Sequence, residues 1–241
     1  SASLPVFKRE KLEGKSFLDG GVLNNVPVDL LINHGYKNII VVRIYGIGKE
    51  KRVRVPENVN IIEIAPRVPL GSIMEFKKSK TLRNMRIGYY DTLRVVKDLS
   101  GKIYYIDIKE EDSWFFNQFL EMNEEVVQQC LKYYKEYEVD PSLHHRKIFE
   151  VICPSLANEL GLDKNWTYRE LYVSMAEACA KAIRIKKYLV YTFEQFLTEI
   201  NNGYSRKEWK ELKKDKFIRV MMLILMNKNL DFDELVYDEE T

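Results

Sequence analysis

The sequence predicts an α/β fold: a layered sheet with helices over residues 1–110, followed by an all-helical region over residues 111–241. Three observations carry this. Asn38-Ile-Ile-Val-Val-Arg-Ile44 is a continuous apolar run bounded by Gly35 and Gly46, the pattern of a strand covered on both faces, and Asn60-Ile-Ile-Glu-Ile-Ala65 reads as another strand, ended by Pro66. A helix signal precedes the first of them. After residue 110 the strand-like runs stop and helical periodicity takes over, which separates a sheet-bearing part from a helical one.

Each element has its own local reason. Ser16-Phe-Leu reads as a strand end leading into Asp19. Asn25 is placed to cap a helix whose first turn holds Pro27, where a missing N–H costs nothing. Leu30 and Leu31 continue that helix, and Asn33-His34-Gly35 stops it. Between Ser72 and about Ser100, Leu82, Met85, Tyr89, Leu93 and Val96 recur at spacings of three and four, so a long amphipathic helix is expected, ended by Gly101. Lys102–Ile108 reads as a last strand able to return to the same sheet.

Helices are then expected over 113–138, 144–160, 167–189, 193–202 and 205–228, separated by turn signals such as Asp140-Pro141-Ser142 and Asn201-Asn-Gly203. Thr167-Tyr-Arg-Glu170 has capping-box spacing. Val220-Met-Met-Leu-Ile-Leu-Met226 fits a buried helix, and Asp231–Thr241 a solvated acidic tail. No fixed-period repeat is present, which argues against a solenoid.

Composition narrows the function classes. With 241 residues, 46% hydrophobic and 31% charged, the chain has an ordinary globular balance, and disordered or collagen-like classes drop out. The 38 basic and 36 acidic side chains leave a formal charge of +2, so no global field recruits nucleic acid, and none is expected as a partner. Cys130, Cys153 and Cys179 are far apart and read as buried free thiols; no cofactor or metal site is expected. His144-His145 reads as helix-start or surface polarity, and Trp114, Phe115, Phe116 and Phe119 as core. No apolar run reaches the roughly 18 residues of a membrane span and no signal peptide is visible, so a cytoplasmic location is expected, with or without membrane association.

The chemistry-bearing word is Asp19-Gly20-Gly21, a carboxylate at a strand end followed by two glycines that permit a sharp turn and leave the acid unscreened. In its setting, Ala2-Ser3-x-Pro5-x-Phe7, then Gly14-x-x-Phe17-x-Asp19-Gly20-Gly21-x-x-x-Asn25-x-Pro27 and an apolar strand, it resembles the C-terminal half of the patatin-like phospholipase catalytic domain. The resemblance covers residues 2–44 and continues more loosely to about residue 97, through Leu70-Gly71-Ser72-Ile73 and Gly88-Tyr-Tyr-Asp-Thr92. It implies part of a three-layer α/β sheet of the patatin type. It also implies lipid acyl hydrolysis by a Ser/Asp dyad in which Asp19 is the catalytic base and Gly20 and Gly21 form the active-site loop. A carboxylate is a weak base at neutral pH unless desolvation raises its pKa, so Asp19 is expected to be partly shielded in the complete enzyme.

The family's G-x-S-x-G nucleophile turn and glycine-rich oxyanion loop are absent from these residues. Gly14-Lys-Ser16 lacks the second glycine of the nucleophile turn, so Ser16 reads as a strand-edge residue. In Gly46-Ile-Gly48, Lys51 stands where a dinucleotide fingerprint needs its third glycine. The chain is therefore expected to be inactive alone. Its expected partners are a lipid or acyl-ester substrate, a peripheral membrane contact, and either a missing N-terminal segment or a second copy at an exposed sheet edge. The alternative is a non-catalytic lipid-binding or protein-interaction module that keeps the fold. Basic clusters at 49–54, 77–86 and 206–214 read first as solvated faces.

Overall fold

The computed structural model describes residues 11–16, 20–46, 48–72, 75, 77–136, 140–204 and 215–227. It is a mixed α/β structure with small parallel sheets, divided into two compact units at Val96/Lys97. The division falls at the end of a long helix, ahead of the segment where the sequence predicts a strand over Lys102–Ile108 and only Tyr105–Asp107 is one.

The first unit opens with a two-residue hairpin, β1 (Lys11–Leu12) and β2 (Lys15–Ser16), turned by Glu13 and Gly14 at positive φ. A 3-10 turn at Gly20–Val22 leads to α1 (Val28–Asn33), which ends at Gly35 with φ +84°. Strands β3 (Asn38–Val42) and β4 (Asn60–Ile64) pair in parallel, with Asn38 opposite Asn60 and Val42 opposite Ile64. Helix α2 (Lys78–Lys97) follows.

Two expectations fail here. The β3 run is not covered on both faces: Ile39 and Val41 are buried, whereas Ile40 and Val42 are 65% and 68% exposed. The second is the role of Asn25. Pro27 occupies the N-cap of α1, no side chain caps that helix, and the Asn25 amide reaches instead toward Gly46.

The second unit contains β5 (Tyr105–Asp107), α3 (Asp112–Leu120), α4 (Glu124–Tyr133), α5 (His144–Lys147), α6 (Cys153–Glu159), α7 (Tyr168–Ala182), β6 (Val190–Thr192), α8 (Phe193–Tyr204) and α9 (Lys216–Met226). It is not all-helical, because β5 pairs in parallel with β6 rather than with the first sheet. Ile106 joins the core of the helical unit, and Tyr105 is buried as well. A π-helical turn, Ile148–Ile152, joins α5 to α6. Pro154 in the first turn of α6 has no N–H for a carbonyl one turn back, and the wider turn accommodates its ring.

Around α7, Phe115, Phe119, Val127, Cys130, Ile152, Leu156, Met175, Cys179, Phe196 and Met221 form one fully buried core. Phe115 and Phe119 are core as expected, Trp114 is partly buried, and Phe116 is over a third exposed. The three cysteines are buried and free. Thr167 and Glu170 complete the capping box in both directions. No helix among the described residues is long and apolar enough to cross a membrane.

Among the described residues, this core encloses one carboxylate, Glu177 of α7. Its oxygens accept the backbone N–H groups of Lys102 at 2.9 Å and of Ile103 and Tyr104 at 2.7 Å. The chain can wrap this closely only because residue 101 is glycine: a Cβ there would lie 2.8 Å from Glu177 Oε1, at φ +91°.

Candidate active site

Asp19 lies outside the described residues; the turn that follows it is described. Gly20 accepts the N–H groups of Leu23 and Asn24 at 3.0 and 2.9 Å, closing the 3-10 turn. Two backbone bonds then clasp this turn to the segment leaving β3: Lys49 N–H donates to Gly21 O at 2.9 Å and Asn25 N–H donates to Lys49 O at 2.7 Å. The Asn25 amide adds a longer bond to Gly46 O at 3.4 Å.

Gly48 permits the approach, since a Cβ on it would stand 2.5 Å from Gly21 O and 2.9 Å from the Asn25 side chain. Gly48 therefore serves close backbone contact. Gly20 is different from what the sequence suggests: its φ is not in the left-handed region and a Cβ on it would meet nothing within 4 Å. Glycine there leaves open space beside the turn.

A polar tether reinforces the clasp. Asp29, in the first turn of α1, accepts from the Asn24 amide and from Lys51 Nζ, each at 2.9 Å. The bond from Lys51 holds the Asp29 carboxyl below its ordinary range. Arg43, just past β3, sits between Glu50 at 2.5 Å and Glu63 at 2.9 Å, and the Glu50 bond leads in raising its pKa. None of Asn24, Asp29, Arg43 or Lys51 stood out in the sequence as a site residue. Lys51 was legible as the residue that breaks a dinucleotide motif and as a member of the basic cluster at 49–54.

Beside this clasp, at the carboxyl ends of both parallel strands, lies a cavity of about 1140 Å³. The exits of β3 and β4 and one side of α2 enclose it, with Val42, Ile44, Val68, Leu70, Met85 and Ile87 giving a largely apolar lining. Its rim is fastened: the Asn84 amide donates to Leu70 O at 3.1 Å, Arg83 to Pro69 O at 3.2 Å, and Lys80 to Ser72 O at 2.6 Å and Glu75 at 3.0 Å. Open α/β sheets bind ligands at the carboxyl ends of their strands, and both the clasp and the cavity occupy that end.

Comparison with family models, characterised proteins and solved structures finds no match for this chain.

A second, smaller cavity of about 310 Å³ in the helical unit is lined by Gln128, Leu131, Lys132 and His144. His144 is buried, contrary to the surface reading, and its Nδ1 lies 2.5 Å from Glu124 Oε1. That contact leads in lowering the Glu124 carboxyl and ties the start of α4 to α5. Among the described residues, no group of three or more His, Cys, Asp or Glu side chains could hold a metal ion.

Proposed function

We propose that this chain supplies the base-bearing half of a Ser/Asp lipid acyl hydrolase of the patatin-like kind. The observation that carries the reading is the clasp: the turn directly after Asp19 is anchored by backbone hydrogen bonds at the carboxyl end of a parallel strand, next to a large apolar cavity. A residue ahead of that turn is joined to a held backbone rather than to a free loop, which is what a general base requires.

In this reading Asp19 takes the proton from a serine hydroxyl as that oxygen attacks the ester carbonyl, and returns it to the departing alcohol. The serine and the oxyanion donors come from polypeptide outside these 241 residues. The exposed apolar side chains Ile40 and Val42 of β3 and Ile62 of β4 suit a sheet face covered by such a segment. The cavity suits an acyl chain.

The test is Asp19→Asn in the complete protein. Ester turnover is expected to fall at least about 1000-fold with cooperative unfolding unchanged. Retained turnover excludes Asp19 as the base. A complete protein without both a glycine-rich loop and a G-x-S-x-G turn replaces this reading with that of a non-catalytic lipid-binding module.

A further inference from the structure

We propose that the outward face of α2 is a docking surface for an anionic lipid bilayer. This helix is built inside out. Its buried positions are Ile87, Asp91 and Arg94, and the last two form an ion pair with both side chains 4% exposed. Its apolar stripe points the other way: Leu82, Tyr89 and Val96, seven residues apart along the helix, are 48%, 62% and 74% exposed. A stripe of that kind ordinarily faces a core. Here it runs along about 21 Å of helix surface, at 1.5 Å per residue.

Charge selects the occupant. Asp91 is the only acid in α2, and it is turned inward, so no acid of the helix itself balances the cations on its exposed surface. Lys78 and Arg86 flank the stripe, and neither has an ion-pair partner among the described residues. The surrounding segment is basic too: residues 1–96 hold 17 Lys and Arg against 9 Asp and Glu, whereas residues 97–241 hold 21 against 27.

A second copy meeting this face across a two-fold axis would oppose Lys78 and Arg86 to their own counterparts, with no acid on the helix to meet them. An anionic bilayer satisfies both features at once. Its acyl boundary receives Leu82 and Val96, its headgroup layer suits Tyr89, and its negative surface attracts the lysine and the arginine.

The measurement is co-sedimentation of the full chain with vesicles of phosphatidylcholine containing about 30% phosphatidylserine, against pure phosphatidylcholine, near 0.1 M salt. Binding is expected only to the anionic vesicles. The double variant Lys78→Glu, Arg86→Glu should weaken it at least about 25-fold, near fivefold per cation lost. Leu82→Ser with Tyr89→Ser should also abolish it. A control of equal charge change on exposed residues of the helical unit, Lys186→Glu with Lys187→Glu, should leave it in place. Three outcomes overturn the proposal: a parent chain that ignores both vesicle types, which leaves the face to a protein partner; a control that falls as far as the α2 variant; or a dilution-sensitive dimer that Tyr89→Ser dissociates. No turnover is measured, so the result is independent of Asp19 chemistry.

Discussion

At the residue scale, the most consequential side chain is Glu177. Its three backbone partners lie 73 to 75 positions away in sequence, so no local pattern announces it; an acid in an amphipathic helix reads as surface. Removing it strands three donors at the entry to β5. Glu177→Ala should destabilise the helical unit by about 3 kcal/mol, read by chemical denaturation. Glu177→Gln, which keeps one acceptor oxygen for Ile103 and Tyr104, should cost less. Asn25 makes the same point in reverse: its sequence position marks a helix cap, and its amide is taken up by a carbonyl 21 residues later. Local chemistry identified Asn25 as a residue with a backbone job, and tertiary contact decided which backbone.

At the element scale, legibility follows range. The Thr167–Glu170 box, the Gly35 stop and the apolar α9 were readable because each depends on neighbours within a turn, whereas α2 ends at Lys97, ahead of the expected Gly101 stop, with Asp98 at φ 52°. The short β6 was not: three residues run straight into α8 with no turn signal between them. The expected single helix over 113–138 breaks at Glu121–Asn123, where the cap of a distant helix intervenes. Asn227 closes α9 in the left-handed conformation, at φ 45°. Its side-chain oxygen accepts Asn123 N–H at 2.7 Å, its amide donates to Glu121 O at 3.1 Å, and its carbonyl accepts the Asn123 amide at 2.6 Å. One residue thus ends α9 and starts α4. Asn227→Ala loses two side-chain bonds and strains the backbone, and should lower stability by about 2 kcal/mol; Asn227→Gly, free of the strain, should lose less. Paired thermal melts separate the two.

At the scale of the whole molecule, the burial is uneven. Before Lys97 the described buried apolar residues are Ile39, Val41 and Ile87; the rest of the core belongs to the helical unit. Stability should divide in the same way. In native-state hydrogen exchange the amides of β3 and β4 are expected to exchange at least about 100-fold faster than those at the centre of α7, and equal protection would contradict two units of unequal core. The α/β class of the first unit was legible because apolar runs and glycine stops are local signals. That the β3 run is covered on one face only was not, since strand hydrophobicity records what a sheet can bury and not what is there to bury it. For the candidate site the sequence supplied Asp19 and its glycines, while the clasp through Lys49, Asp29 and Lys51 needed the fold.

The three thiols leave an experimental opening. Cys130, Cys153 and Cys179 are wholly buried, and burial pushes Cys130 up to about 12 and the other two higher still, so in the native state none presents a thiolate to solvent. A cysteine placed by design on the surface is then the one reactive handle of the folded chain. A fluorophore or spin label can be set at Gly20 or along α2 without first stripping out the native sulfurs.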